Sequence, residues 1–128
     1  MTYRGGQEPI IHLECDLNAS VTWAQANSRR WAFTLSNAGS VYFEDRDDLD
    51  LFHEINWDAV GTNRWSGAGI STSIKEGKQA EFLLENSFPW GLVERVGVFG
   101  QAAYRQAANA LAASSHRPCL EVKTDWYY

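Results

Sequence analysis

Hydrophobic and polar residues alternate in several short segments of this chain, a pattern typical of strands with one buried face. The clearest is IHLECDL at residues 11–17, where every second residue is apolar. Comparable segments at residues 31–35, 41–43, 79–85, 92–98 and 120–123 predict five further strands. The NAG sequence at residues 37–39 is a turn signal, which joins the second predicted strand to the third.

Between these predicted strands, apolar residues recur at the spacing of a helix. The clearest helix is predicted over residues 101–115, where Tyr104, Ala108 and Leu111 share one stripe. A second is predicted over residues 20–26 with Asn18 as its cap, and short helices are predicted within residues 49–60. The sum is an α+β fold with a mixed, largely antiparallel sheet and flanking helices. No repeat or linker divides residues 1–128, so we expect a single domain.

Residues 62–77 interrupt the pattern with three glycines, three serines and no sustained period. This predicts a long loop, and long loops without secondary structure of their own are often functional.

Charge is unevenly distributed along the chain. The net charge is −5, and residues 44–50 alone hold five acids and one arginine, which is typical of a solvated face. Residues 63–78 hold Arg64, Lys75 and Lys78 against one acid, so this segment is locally basic. The overall acidity argues against a protein that binds nucleic acid along its whole surface. The basic segment can still make a local contact with phosphate.

The cysteines and the hydropathy predict a cytoplasmic protein. Cys15 and Cys119 are far apart and lack a CxxC spacing, which fits a reducing compartment. No signal peptide and no apolar run long enough to cross a bilayer occurs, so we expect no membrane span. His12, His53 and His116 show no ligand spacing with the cysteines, and no metal site is predicted.

Glu81 is the first candidate for chemistry. It lies near the start of the strand predicted after the loop, and strand spacing places Gln79 on the same face. Side by side at the mouth of a loop, these two side chains can contact a ribose hydroxyl and a reacting centre. The alternative is an exposed sheet face that is merely polar.

Three basic segments are candidates for nucleic-acid contact. Gly77 permits a close backbone approach and its neighbours Lys75 and Lys78 can neutralise phosphates, the alternative being a solvated turn. Arg64 beside Trp65 suits phosphate contact with base stacking, unless the indole only pins the loop to the core. A further basic, glycine-rich segment is YRGGQ at residues 3–7.

Beyond these patterns, several short sequence motifs of the chain resemble those of the DarT family. The resemblance extends along essentially the whole chain and is carried most specifically by KEGKQAEFL at residues 75–83. Weaker matches are YRGGQ at residues 3–7, WAFT at residues 31–34, SNA at residues 36–38 and INW at residues 55–57.

DarT proteins are bacterial toxins that transfer ADP-ribose from NAD+ to a base, thymine in one branch, of single-stranded DNA. The resemblance implies part of an ADP-ribosyltransferase fold, with Glu81 as the catalytic glutamate and Gln79 toward the cofactor. It implies a substrate-recognition loop over residues 63–78, and Arg4, Arg64, Trp65, Lys75 and Lys78 as candidate DNA contacts. A macrodomain antitoxin is the implied partner.

One departure from the family stands out. Its members begin with an N-terminal part that supplies a His-bearing NAD-binding strand, and this chain does not show that part. We therefore expect a truncated, inactive C-terminal portion. Two further alternatives stay open: a non-catalytic fragment that binds single-stranded DNA, and a surface for the antitoxin. An exposed sheet edge predicts that a homodimer can form.

Overall fold

The computed structural model describes residues 5–39, 44–62, 69 and 71–127. Two compact units divide the chain, Met1–Trp23 with Phe88–Tyr128, and Ala24–Ser87. Within the described ranges the strands are β1 (His12–Cys15), β2 (Trp31–Thr34), β3 (Asp45–Arg46), β4 (Phe82–Leu84), β5 (Val93–Val98) and β6 (Cys119–Val122). The α-helices there are α1 (Leu17–Ala26), α2 (Trp57–Gly61), α3 (Thr72–Gly77) and α4 (Gln101–Leu111). The single domain expected for residues 1–128 stays a prediction.

The first unit is built around β5. Its sheet has the order β1-β5-β6, with β1 antiparallel and β6 parallel to the central strand. Val93, Val96 and Val98 are fully buried, and Ala103 and Tyr104 of α4 pack against them. Helix α4 therefore covers one face of this sheet, but the predicted stripe is wrong in part, because Ala108 is exposed and Ala107 packs on the core in its place.

On the other face of this sheet, Trp126 lies directly over Gly97. A Cβ atom at Gly97 would lie 2.3 Å from Cε3 and Cζ3 of that indole. The guanidinium of Arg95 is 5.0 Å from the ring centroid and the ammonium of Lys123 is 5.4 Å from it. Arg95 also donates to Glu14 across the strand pair, at 2.8 and 2.9 Å. The missing side chain of Gly97 is what lets the indole reach the sheet.

The ion pair of Glu14 makes stability depend on pH. Hydrogen bonding to Arg95 lowers the pKa of Glu14 below its ordinary value of 4.5. Because the folded-state pKa is below the unfolded one, the pair stabilises fully above the ordinary value, and this is lost as pH falls through the folded pKa. We expect Glu14→Gln to lower the free energy of unfolding at neutral pH, with the difference from wild type shrinking below about pH 4.5. Urea titrations across pH 3–7 check this, with Glu94→Gln on β5 as the control for the loss of one negative charge from the same sheet. A Glu14→Gln difference that does not change with pH would contradict the assignment.

The second unit contains a three-stranded antiparallel sheet of order β3-β2-β4. Its core centres on Phe33, which is 1% exposed and meets Phe52 edge-to-face at 5.2 Å. Phe52 belongs to a 3₁₀ helix, Leu49–Glu54, which is followed by α2. Ile55 and Ala59 complete the buried apolar set around these short helices.

The structure confirms the α+β class and the largely antiparallel pairing, and it corrects several boundaries. The cap predicted at Asn18 is wrong, because α1 begins at Leu17 and the carboxylate of Asp16 accepts from the backbone of Ala19 at 2.7 Å. The loop predicted over residues 62–77 is also wrong in part, since α3 occupies its end. The strand predicted over residues 79–85 is reduced to β4, because residues 78 and 79 form a turn after α3. The strand predicted at residues 41–43 lies outside the described residues.

No helix in the described part of the chain is long and apolar enough to cross a membrane.

Candidate active site

Glu81 lies directly before β4 and is exposed. Its backbone continues the ladder to β2, since its carbonyl accepts from the N–H of Thr34 at 2.8 Å. Its own N–H donates to the hydroxyl of Thr34 at 2.9 Å. Among the described residues, no side chain or backbone group holds its carboxylate. The peptide of Glu81 is thus fixed on both sides, while the carboxylate itself remains available to a ligand.

Thr34 is the residue that fixes Glu81, and its role was not predicted from the sequence. It is completely buried. Its hydroxyl accepts from Glu81 and donates to the carbonyl of Ser36 at 2.6 Å. A buried hydroxyl that uses both its donor and its acceptor defines one position for the peptide it holds. A threonine in an alternating strand is too common to signal this role.

Replacing Thr34 by valine keeps the shape of the side chain and removes both hydrogen bonds. The Glu81 N–H and the Ser36 carbonyl then lose a buried partner, so we expect the free energy of unfolding to fall by about 1–3 kcal/mol. The amide of Glu81 should also exchange with deuterium faster than in wild type. Thr34→Ser restores the hydroxyl and is the matched control. Wild-type protection of the Glu81 amide in the valine variant would show that the hydroxyl does not position it.

The end of the predicted loop folds into α3, whose start is set by a serine. The hydroxyl of Ser71 accepts from the N–H of Ile74 at 3.3 Å and caps the first turn. Gly77 in the last turn is buried, and a Cβ there would lie 2.9 Å from Cβ of Asn56 and 3.0 Å from Cβ of Ala59. The absence of a side chain at Gly77 therefore allows α3 to pack against α2. The sequence analysis had instead suggested a close approach by a ligand at this position.

The two candidate lysines have different surroundings. Lys75 is exposed on the last turn of α3. Lys78 is half-buried, and its ammonium donates to the carbonyls of Ala59 at 3.4 Å and of Thr62. These bonds cap the C-terminal end of α2 with a positive charge. In this arrangement Lys75 is the freer of the two to meet a phosphate.

Gln79 does not share a strand face with Glu81, contrary to the sequence prediction. Its N–H donates to the carbonyl of Glu76 at 3.1 Å, inside the turn that follows α3. Its side chain is exposed. The predicted contact with the cofactor stays a prediction, but the strand spacing that suggested it does not exist. Arg4, Arg64 and Trp65, the other candidate contacts, lie outside the described residues.

The described residues also form an open groove of about 740 Å³ on the second unit, away from Glu81. It lies where β2 begins and β4 ends, and Glu81 is not among its lining residues. Arg30 donates to Glu85 there, which lowers the pKa of that carboxyl. The lining mixes both charges and includes Arg29, Arg30, Asp45, Arg46, Asp47 and Glu85. Size alone gives this groove no role in the chemistry of Glu81.

Within the described ranges, no three His, Cys, Asp or Glu side chains come together as a metal site.

The whole chain matches one protein family. Residues 1–128 match the family described as "ssDNA thymidine ADP-ribosyltransferase, DarT". A "DNA ADP-ribosyl transferase" of Thermus sp. (strain 2.9) is 31% identical over 131 residues, which cover 98% of this chain and 58% of that protein. One of the same description from Thermus aquaticus (strain ATCC BAA-2747 / Y51MC23) is 32% identical over 128 residues, covering 98% and 53%. The chain thus spans little more than half the length of these curated relatives.

Solved structures of the Thermus sp. 2.9 DarT superpose on this fold with a TM-score of 0.85 at 28% identity. One is a complex with NAD+, of which this chain covers 61%, and another is a complex with ADP-ribosylated single-stranded DNA, of which it covers 58%. Each match includes 98% of the present chain.

Proposed function

Because this chain belongs to the DarT family, we propose that it serves the transfer of ADP-ribose from NAD+ to a base, thymine, of single-stranded DNA. The observation that carries the proposal is the exposed carboxylate of Glu81 on a peptide fixed by Thr34. The solved relatives that bind NAD+ and ADP-ribosylated DNA support it.

Glu81 would act on the charge that develops at the ribose. As the bond between the ribose C1′ and the nicotinamide nitrogen breaks, nicotinamide leaves with the bonding electrons and the sugar becomes positively charged. A carboxylate held at a ribose hydroxyl stabilises that charge, as carboxylates do at sugar centres in glycosidases. The new bond joins C1′ to a base nitrogen, and Glu81 would accept the proton which that nitrogen loses.

Thr34 is the positioning residue of this arrangement. It touches neither substrate, but it holds the peptide from which the catalytic side chain projects. Precise placement of a catalytic group lowers the activation free energy by several kcal/mol, and small displacements of that group reduce the rate. Lys75 is the described candidate for a DNA phosphate, and Arg4, Arg64 and Trp65 remain proposed contacts. Gln79 remains the proposed contact on the NAD+ side.

The mass of a thymidine-containing oligonucleotide after incubation with NAD+ tests the proposal. Two proteins are compared: the 128-residue chain, and a hybrid in which these residues replace the matching segment of the Thermus sp. 2.9 relative. Gain of one ADP-ribosyl group by the DNA with the hybrid supports the transfer, whereas the 128-residue chain alone is expected to leave the mass unchanged. A hybrid that folds and binds both NAD+ and DNA, yet never changes the mass, would leave only a DNA-binding role.

A macrodomain antitoxin is the partner that the family resemblance suggests. We expect such a protein to remove the ADP-ribose from the modified oligonucleotide and restore its mass. Persistence of the adduct with a catalytically competent macrodomain would contradict this partnership.

We place the reaction in the cytoplasm, in keeping with two free cysteines. Cell fractionation tests that location.

A homodimer through a sheet edge is proposed for the first unit. Within the described residues β1 and β6 are the outer strands of its sheet, and they carry the exposed apolar residues Leu13 and Val122. Sedimentation velocity at increasing concentration should show a dimer that Leu13→Lys abolishes. A monomer at all concentrations would remove the proposal.

A further inference from the structure

Trp57, the first residue of α2, is a large aromatic side chain held at the surface. It is 47% exposed. Its indole N–H donates to the carbonyl of Phe52 at 3.2 Å, so the one polar atom of the side chain is already used. What it offers a ligand is the aromatic surface alone.

The orientation of this indole is fixed by the core behind it. Trp57 meets Phe52 edge-to-face at 4.8 Å between ring centroids, and Phe52 meets the buried Phe33 at 5.2 Å. The side chain of Asn56 caps α2 by accepting from Ala59 at 3.0 Å, which fixes the helix start. Ordinary core packing does not explain an indole that stays half open while a hydrogen bond and a ring contact hold it in place. A rigid, exposed aromatic surface is what base stacking requires.

The position of Trp57 relative to Glu81 follows from the packing of α2 on α3. Gly77 lies against Asn56, the neighbour of Trp57. Glu81 is the fourth residue after Gly77, which limits the distance between their Cα atoms to about 14 Å. The turn bond from Ala80 to the carbonyl of Gly77 at 3.2 Å makes the actual path shorter. Trp57 is therefore on the helix that packs against the segment leading to Glu81, and it is a site separate from the candidate catalytic carboxylate.

We propose that Trp57 is a stacking platform for an unmodified base of the single-stranded DNA, one that flanks the base receiving ADP-ribose. The inference rests on the proposed function, because it names a second contact with the same substrate. Stacking tolerates any base, since every base has a π-face, so the platform fixes the path of the strand more than its sequence. Holding a flanking base limits the positions that the reacting base can take.

Binding of a fluorescein-labelled, thymidine-containing oligonucleotide to the 128-residue chain tests the platform without NAD+. Fluorescence anisotropy should show an affinity about 5- to 100-fold lower for Trp57→Ala, the range found when a stacking aromatic is removed. Trp57→Phe should recover most of it, because phenylalanine keeps a stacking face. Trp90→Ala is the matched control, a tryptophan of similar exposure at 38% whose indole N–H is also bonded. Its affinity should equal that of wild type.

Two further readouts separate stacking from a structural role. An abasic site is placed at each nucleotide in turn, and at one position Trp57→Ala should cause no further loss, since the stacked base is already gone. The dependence of affinity on salt should keep its slope in Trp57→Ala, whereas Lys75→Ala should reduce that slope by about 1 if Lys75 neutralises a phosphate.

Wild-type affinity in Trp57→Ala, or a loss that adds to the abasic loss at every position, overturns the platform. So does a loss that phenylalanine fails to restore in a folded variant. If the wild-type chain binds no single-stranded DNA at all, the platform and the DNA contacts of the proposed function fall together. If binding depends on Trp57 but no ADP-ribose is transferred, the platform stands and only the chemistry is refuted.

Discussion

Replacing Glu81 by glutamine should reduce the transfer of ADP-ribose to DNA by at least about 100-fold, the usual effect of losing one electrostatic or acid–base contribution. The substitution removes the negative charge and keeps the size of the side chain. Its effect on the fold should be negligible, because the side chain is exposed and the bonds that hold Glu81 are made by its backbone. The oligonucleotide mass assay, run with the hybrid that contains residues 1–128, measures the transfer, and thermal unfolding of the same hybrid measures the fold.

The matched control for this substitution is Glu76→Gln in α3. It removes one negative charge from an exposed residue close by in the sequence, so it reproduces the change in net charge. Transfer should be unaffected in the control. Glu81→Asp adds a test of position, because it keeps the charge and withdraws it by one methylene, and we expect an intermediate rate. Transfer at the wild-type rate by Glu81→Gln would remove Glu81 from the chemistry.

The periodic parts of the fold were predictable because their burial pattern is local. The strand at β5 and the helix α4 were expected from alternation and from one apolar stripe, and the structure pairs these two elements in one core. Six strands were predicted, and the five that fall in the described residues were found. The remaining strand in the structure, β3, has only two residues, too few for a period to be visible.

The parts that could not be predicted depend on contacts distant in the sequence. Gly77 was interpreted as a position where a ligand can approach the backbone closely, but the position of α2 shows that it is a packing contact. Lys78 was predicted, like Lys75, to contact phosphate, but its ammonium donates to backbone carbonyls at the end of α2. A six-residue helix such as α3 has fewer than two full turns, too few for a helical repeat to be detected, and its serine cap resembles the serines of a loop. Short elements and long-range contacts thus escaped the sequence analysis.

The candidate site shows the same division. The resemblance to DarT proteins singled out Glu81, and the structure adds that its carboxylate is exposed on a fixed peptide. Thr34, 47 residues away in the chain, escaped notice because nothing in an alternating strand distinguishes one threonine from another. In the sequence, Trp57 stood out only as part of the INW motif that resembles the DarT family. Its exposure and its fixed indole became visible once the contact with Phe52 was known.

Gly97→Ala should destabilise the first unit. The added Cβ would lie 2.3 Å from Trp126, well inside contact distance, and the atoms it meets belong to a large ring close to the sheet. The indole must leave Gly97, and it then gives up its contacts with Arg95 and Lys123. Overpacking of this kind costs about 1–3 kcal/mol, and the lost cation–π contacts add to that. The free energy of unfolding in urea, followed by far-UV circular dichroism, measures the loss.

Gly91→Ala is the control for this change, since a Cβ there meets nothing within 4 Å and the methyl should be neutral or slightly stabilising. A double-mutant cycle with Trp126→Ala identifies the cause. If the clash with the indole is responsible, Gly97→Ala should cost much less once the ring has been removed, because the two residues are in direct contact. Equal costs of Gly97→Ala with and without the indole would show that the glycine is required by the strand itself, and that Trp126 is only its neighbour.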